Sequence, residues 1–260
     1  MPRDLFRLDG KVAVVVGGTG GIGRHVAKAY AEYGAKVAIA GRAMDRAKSI
    51  IEWIKEENKD AIVEAFYVDV TSEESVKKLV EQVLNRFGTV DILVNVHGVN
   101  IKMPATEIEV DNWNKLFDVN VKGVMLTCRE FGKIMVEKRS GKIINTSSVR
   151  GIRATRWPGN VGYCATKAAV DMITKQLAAE WAPYGVNVNA VAPALVSGTG
   201  AARPTESNPE RLKMYIESVP LKRIATVDDL VGVYIFLASP ASDFITGQII
   251  YVDGGLIVVG

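Results

Sequence analysis

Cysteine is nearly missing from this 260-residue chain, which has two thiols, Cys128 and Cys164, both on stretches that read as helical. That excludes a disulfide framework and suits a reducing compartment, so a cytoplasmic location is expected. Charge of one sign is scarce as well. The formal net charge is +3, from 32 Lys and Arg against 29 Asp and Glu, and no basic block stands out, so no nucleic-acid partner is expected. No apolar run reaches the roughly 18 residues of a membrane span. Met1–Gly10 is too polar for a signal peptide, so no membrane partner is expected either. No metal site is expected. Low-complexity segments, a second domain and repeats beyond a strand–helix unit are all missing, so residues 1–260 read as one domain.

What the chain does have is 48% hydrophobic residues and 24 glycines, a mixture that fits a buried parallel sheet with tight turns. Lys11–Val16 is a short β-branched run, read as a fully buried strand. The turn Gly17-Gly18-Thr19-Gly20-Gly21-Ile22-Gly23 follows, and then a helical pattern from Arg24 to Tyr33 that stops at Gly34. A glycine turn between strand and helix brings backbone N–H groups to a helix N-terminus, where a pyrophosphate is favoured and a Cβ would hold it away. Lys36–Ala40 is the second strand and ends at Gly41-Arg42. An acid at this corner suits the ribose of NAD, whereas an Arg suits the 2′-phosphate of NADP, so NADP(H) is expected over NAD(H). Arg42 as a solvated loop residue is the other reading.

Alternation continues to the C-terminus. A helix is expected over Met44–Glu57 and a strand over Ala61–Val68, with Asp69-Val70 at its end. Thr71-Ser72-Glu73-Glu74 resembles a cap opening a helix to Phe87. A strand over Val90–Val94 leads into Asn95-Val96-His97-Gly98. One long helix is expected from Asp111 to Arg139, then strands at Lys142–Thr146 and Val186–Val191, with an apolar, strand-like tail over Gly247–Val259. Strands alternating with helices predict an α/β, doubly wound, Rossmann-type parallel sheet with helices on both faces and a ligand beyond the C-terminal strand ends.

Tyr163 and Lys167 lie four apart at the start of another helical run, and so one turn from each other on one face. A free tyrosine, with a pKa of about 10, is a poor base near neutrality. An ammonium one turn away favours the phenolate, which makes the pair a candidate acid/base couple acting on an alcohol oxygen. The bland reading is a packed tyrosine and a solvated lysine.

Taken in order, Gly17…Gly21-Ile22-Gly23, Asp69-Val70, Asn95-x-x-Gly98, Asn120 within Asp118–Gly123, Ser148, Tyr163…Lys167, Pro193 and Tyr251–Gly255 resemble the short-chain dehydrogenase/reductase family over nearly the whole chain. The resemblance implies a seven-stranded sheet, a nicotinamide cofactor, carbonyl/alcohol interconversion of a small molecule, and a homotetramer. It implies that Tyr163 exchanges the proton. Lys167 would hold the nicotinamide ribose, Ser148 the substrate oxygen, and Asn120 a water linking Lys167 to solvent. Gly17, Thr19, Gly20, Gly21, Ile22, Gly23, Arg42, Asp69, Val70, Asn95, Gly98, Pro193 and Val196 would line the cofactor. Departures from the family pattern are Val16 for the usual Thr, His97 for Ala, Ala194 for Gly, and Gly198 at a usual Thr position with Thr199 one later. His97 either lines the cofactor cleft or packs on the sheet.

Two segments should shape the substrate pocket: residues 151–162, and a lid over about 198–220. Arg150, Arg153, Arg156 and Trp157 beside Ser148 suit a carboxylate or phosphate on the substrate. The other reading pairs the arginines with acids across an oligomer interface or leaves them in water. Members acting on sugar acids, of the gluconate 5-dehydrogenase type, therefore fit as one class. A 3-oxoacyl-thioester reductase is an alternative, and a non-catalytic nucleotide sensor is one from another class.

Overall fold

The structure, a computed structural model, describes residues 4–259. Its centre is β1 (Val12–Val16), an unbroken apolar run buried on both faces. Alternate residues serve opposite layers. Ala13 and Val15 pack with Val26, Ala27 and Tyr30 of α1 (Gly21–Glu32), while Val14 and Val16 pack with residues of the other face. Beside β1 lie β2 (Lys36–Gly41) and β3 (Val63–Tyr67) on one side. On the other lie β4 (Ile92–Asn95), β5 (Gly141–Thr146), β6 (Val186–Pro193) and β7 (Ile249–Val252). The order is β3-β2-β1-β4-β5-β6-β7 and every pairing is parallel.

Helices α1, α2 (Met44–Glu57) and α9 (Asp228–Ala238) cover one face. On the opposite face are α3 (Glu73–Phe87), α5 (Gly123–Lys138) and α6 (Val161–Trp181). Ser72 caps α3, its hydroxyl accepting from the Ser75 N–H at 3.2 Å. The strand order reverses between β1 and β4, and there the crossover helices diverge and leave a crevice beyond the strand ends.

Two expectations are corrected. The long helix expected from Asp111 is instead α4 (Val110–Phe117), a π-helical turn (Asp118–Lys122) and α5. The extra residue in that turn carries Asn120 inward, where it is buried. The apolar tail is strand only over Ile249–Val252. Asp253 ends it, its carboxylate accepting from the Gly255 and Ile257 N–H groups at 3.0 and 2.8 Å, and Gly254 and Gly255 both take positive φ. Leu256 is buried beyond the turn and Val258 is exposed. The segment expected as a lid carries two short helices, α7 (Arg203–Glu206) and α8 (Pro209–Ser218).

Candidate active site

The crevice begins at the glycine turn. Gly17 has a φ of 86°, and a Cβ there would come within 2.6 Å of the His97 backbone nitrogen, so the two strand-end loops touch through bare backbone. Gly20 stands at the N-cap of α1 with no side-chain cap and no acid in the first turn. The N–H groups of Gly21, Ile22 and Gly23 thus open the helix free for an anion, which fits a pyrophosphate. Thr19 lies over the end of β2, its Oγ1 being 3.1 Å from where a Gly41 Cβ would stand. Arg42 beside it is exposed, and its charge helps lower the Asp69 carboxyl. The first cause of that lowering is Asp69's own turn, since Asp69 accepts from the Thr71 N–H at 3.0 Å and the Thr71 hydroxyl at 2.7 Å. Val70 packs against Gly123 with His97 beside it.

From there the cleft, of about 520 Å³, runs past Ile22, Val96, His97 and Gly98 to Ser148, Tyr163, Lys167, Pro193, Val196 and Thr199. His97 meets both expectations. Its imidazole is buried against the sheet layer, yet it lines the cleft with neither nitrogen hydrogen-bonded. Burial, and then the Lys167 charge, push its pKa down to about 3, so it is neutral. Gly198 takes φ 72°, which turns the next residue inward. Thr199 is thereby buried on the cleft wall against Gly21, its hydroxyl bonded to the Val196 carbonyl at 2.7 Å. The one-residue shift is thus absorbed by a left-handed glycine.

Asn95 is a correction. Its side chain does not line the cleft but lies in the layer beneath, donating to Asn145 at 2.9 Å and accepting from Thr127 at 2.9 Å. The strand alternation at the end of β4 aims it at α5. The Asn120 amide is likewise occupied. It accepts from the Val99 N–H at 2.8 Å and donates to the Val99 carbonyl and the Thr166 hydroxyl at 2.9 and 3.1 Å. It therefore ties the cleft loop to α6 and retains one lone pair.

The side chains expected to handle the proton do meet in the cleft. Ser148 ends β5 and caps a 3₁₀ turn, its hydroxyl accepting from the Arg150 N–H at 3.2 Å and donating to the Pro193 carbonyl at 3.4 Å. Tyr163 lines the same cleft beside it. The Lys167 ammonium lies 5.6 Å from the centre of the Tyr163 ring and donates to the Thr146 carbonyl at 2.7 Å. Burial brings Lys167 down to about 8, with Asp171 opposing. Among the chain's own groups burial dominates and raises the phenol, and the groups pulling it back are Ser148 and then the Arg150 charge.

Beyond Ser148 a second cavity holds Lys102, Arg150, Trp157, Tyr163, Arg211 and Tyr215, and no Asp or Glu is among its lining residues. Arg150 is held by the Ala154 carbonyl at 2.8 Å. Arg153 and Arg156, expected here, do not line this cavity but an adjoining one with Met214 and Ser218. Lys102 and Arg211 were not legible beforehand. Arg211 sits on α8 with its guanidinium 4.6 Å from the Trp157 ring centre, bridging the two walls. The approach of Arg211 and Arg150 lowers the Lys102 ammonium further after burial. None of the three cations is in a salt bridge among the described residues.

Comparison with known proteins agrees with this geometry. A family model described as Enoyl-(Acyl carrier protein) reductase matches residues 17–257. A 3-oxoacyl-(acyl-carrier-protein) reductase of Thermotoga maritima is 33% identical over 254 residues, covering 97% of this chain and 100% of that protein. A sorbitol dehydrogenase of Cereibacter sphaeroides is 36% identical, covering 96% and 98%. Among solved structures, a gluconate 5-dehydrogenase from Burkholderia cenocepacia in complex with NADP and tartrate superposes with a TM-score of 0.93 at 35% identity, covering 99% of each chain.

Proposed function

The chain belongs to the short-chain dehydrogenase/reductase family, an oxidoreductase acting between alcohol and carbonyl with NAD(P), and from that premise we propose that it is an NADP(H)-dependent enzyme for a small anionic hydroxy or keto compound, of the sugar-acid type. The observation that carries the substrate class is the acid-free cavity beside Ser148, into which Lys102, Arg150 and Arg211 converge. Three unpaired cations in one pocket repel each other, and an anion relieves that repulsion. Guanidinium groups add bidentate geometry for a carboxylate.

The nicotinamide, when bound, supplies or accepts the hydride. The Tyr163 hydroxyl then gives its proton to the carbonyl oxygen in reduction and recovers it in oxidation. Burial keeps the phenol protonated, which suits the reductive role. Ser148 holds the same oxygen and sets its angle. Lys167 holds the ribose end, and Asn120 fixes the cleft wall through Val99 and Thr166. The N-terminus of α1 and Arg42 take the phosphates. A homotetramer in the cytoplasm completes the reading.

The test is NADPH oxidation with a panel of sugar keto acids, neutral ketones of equal size and acetoacetyl thioesters. Turnover of the keto acids is expected. A clear preference for the neutral ketones would refute the anionic class. Preference for the thioester would favour the second reading, a 3-oxoacyl-thioester reductase, which the Thermotoga relative supports. The non-catalytic sensor is set aside by the family membership.

A further inference from the structure

Two phenols stand inside the layer between the sheet and helices α1 and α9. Tyr30 on α1 and Tyr234 on α9 have no exposed surface and lie in the apolar cluster that holds Val15, Ile144 and Val191. A buried hydroxyl is costly unless it is bonded, and both of these are bonded. The Tyr30 hydroxyl donates to the Tyr234 backbone carbonyl at 2.9 Å. The Tyr234 hydroxyl lies 2.7 Å from the Thr146 hydroxyl. This second bond leads to the cleft. Thr146 is the last residue of β5, and its carbonyl accepts from the buried Lys167 ammonium at 2.7 Å.

Strand geometry accounts for both contacts. Alternation along β5 turns Ile144 and Thr146 toward α9, while Asn145 between them faces α6 and donates to Thr174 at 3.0 Å. The Ser147 N–H donates to the Val191 carbonyl of β6 at 2.8 Å. Across a trans peptide the Thr146 carbonyl therefore points away from β6, to the side of β4. The pairing of β4 with β5 ends one residue earlier, at Asn95 and Asn145, which leaves that carbonyl to Lys167. It is the one hydrogen-bond partner of Lys167 Nζ among the described residues.

We propose that Tyr234 is a positioning residue: its hydroxyl pins Thr146 from the α9 layer and so fixes the carbonyl on which the Lys167 ammonium, arriving from the α6 layer, is placed. The proposal rests on the reading of Lys167 as the partner of Tyr163 in proton transfer. Thr146 is the point where the two layers meet at the cleft, and Tyr234 acts through it without touching substrate or cofactor.

The experiment compares Tyr234→Phe with Tyr30→Phe in the full chain. Both keep the ring and delete a buried phenol bond, but only the first bond reaches Thr146. The Lys167 Nζ resonance is followed by ¹⁵N NMR, assigned by its loss in Lys167→Arg, alongside kcat for NADPH-dependent carbonyl reduction. Tyr234→Phe should move the resonance and lower kcat several-fold. Tyr30→Phe should lower the urea midpoint and leave the resonance and kcat as in wild type. Thr146→Val removes the same bond from its other end, so it should match Tyr234→Phe and add nothing to it in the double variant. Thr146→Ser keeps the hydroxyl and should keep the wild-type resonance. An unmoved Nζ resonance in Tyr234→Phe overturns the proposal, whatever happens to kcat, and so does an equal movement in Tyr30→Phe. If Tyr234→Phe does not fold, Thr146→Val carries the same test with the same outcomes. Should Tyr163→Phe retain activity while the resonance still moves in Tyr234→Phe, the proton-transfer reading fails and the placing of Lys167 by Tyr234 stands.

Discussion

A phenol raised by burial and a lysine lowered by it are both displaced toward their neutral forms, and each is displaced for use. At this scale Tyr163→Phe should cut turnover by roughly 10²–10⁴-fold, the usual contribution of a positioned proton donor. NADPH binding, read by cofactor fluorescence, should be unchanged because the ring remains. The cationic pocket makes its own demand. Arg150→Ala and Arg211→Ala should each raise KM for an anionic substrate about ten- to a hundredfold, the worth of a charge-assisted hydrogen bond, and leave KM for NADPH alone. Steady-state kinetics on both substrates separates the two. His97 supplies a pH test. Its pKa is about 3 in the fold against about 6.5 unfolded. The unfolded chain therefore binds the extra proton between these values. Stability should be whole above pH 6.5 and fall below it, with up to roughly 1.4 kcal/mol contributed per unit. Urea midpoints of wild type and His97→Ala between pH 7 and 4 should show a shallower slope in the variant.

Elements decide which residues can act together, and here the sequence was partly legible. The strand β1 declared itself because it is buried on both faces, which forces a continuous apolar run. Tyr163, Lys167 and the glycine turn were legible because helical spacing and backbone approach leave a pattern. The π-turn left none, since its one-residue excess is a hydrogen-bonding event within an otherwise helical pattern. Arg211 was hidden for a different reason. Its partner Trp157 lies in a separate wall, and only the packing of α8 brings them together. Arg153 and Arg156 misled because sequence adjacency does not tell which cavity a loop residue lines. The proposed choice of NADP(H) rests on the end of β2. Gly41→Asp with Arg42→Ala should reverse the preference for NADP(H), measured as kcat/KM for both cofactors. The new carboxylate repels a 2′-phosphate and accepts from a free hydroxyl. The Cβ it brings stands 3.1 Å from Thr19 Oγ1, so Thr19 must yield slightly. An unchanged ratio would remove this corner from cofactor selection.

For the whole molecule, apolar side chains remain uncovered. Phe244 is entirely exposed, Val258 is 80% exposed and Val110 is 72% exposed. The apolar C-terminal end, where Val258 is exposed, is expected to be buried between copies. Light scattering at micromolar concentration should return four times the 28.2 kDa chain mass, and a monomer would refute the assembly. The walls of the cationic pocket have a further consequence. Lys102, Arg150, Trp157 and Arg211 all lie outside the seven strands, on loops and on the short helix α8, while the pyrophosphate turn and proton pair are anchored to the sheet and α6. Heritable change can therefore fall on Lys102, Trp157 and Arg211 while the sheet-anchored set stays in place. A lineage can exchange what it oxidises by rewriting a few surface segments, keeping its sheet and its chemistry intact, and a laboratory seeking a new substrate would begin by randomising those same segments.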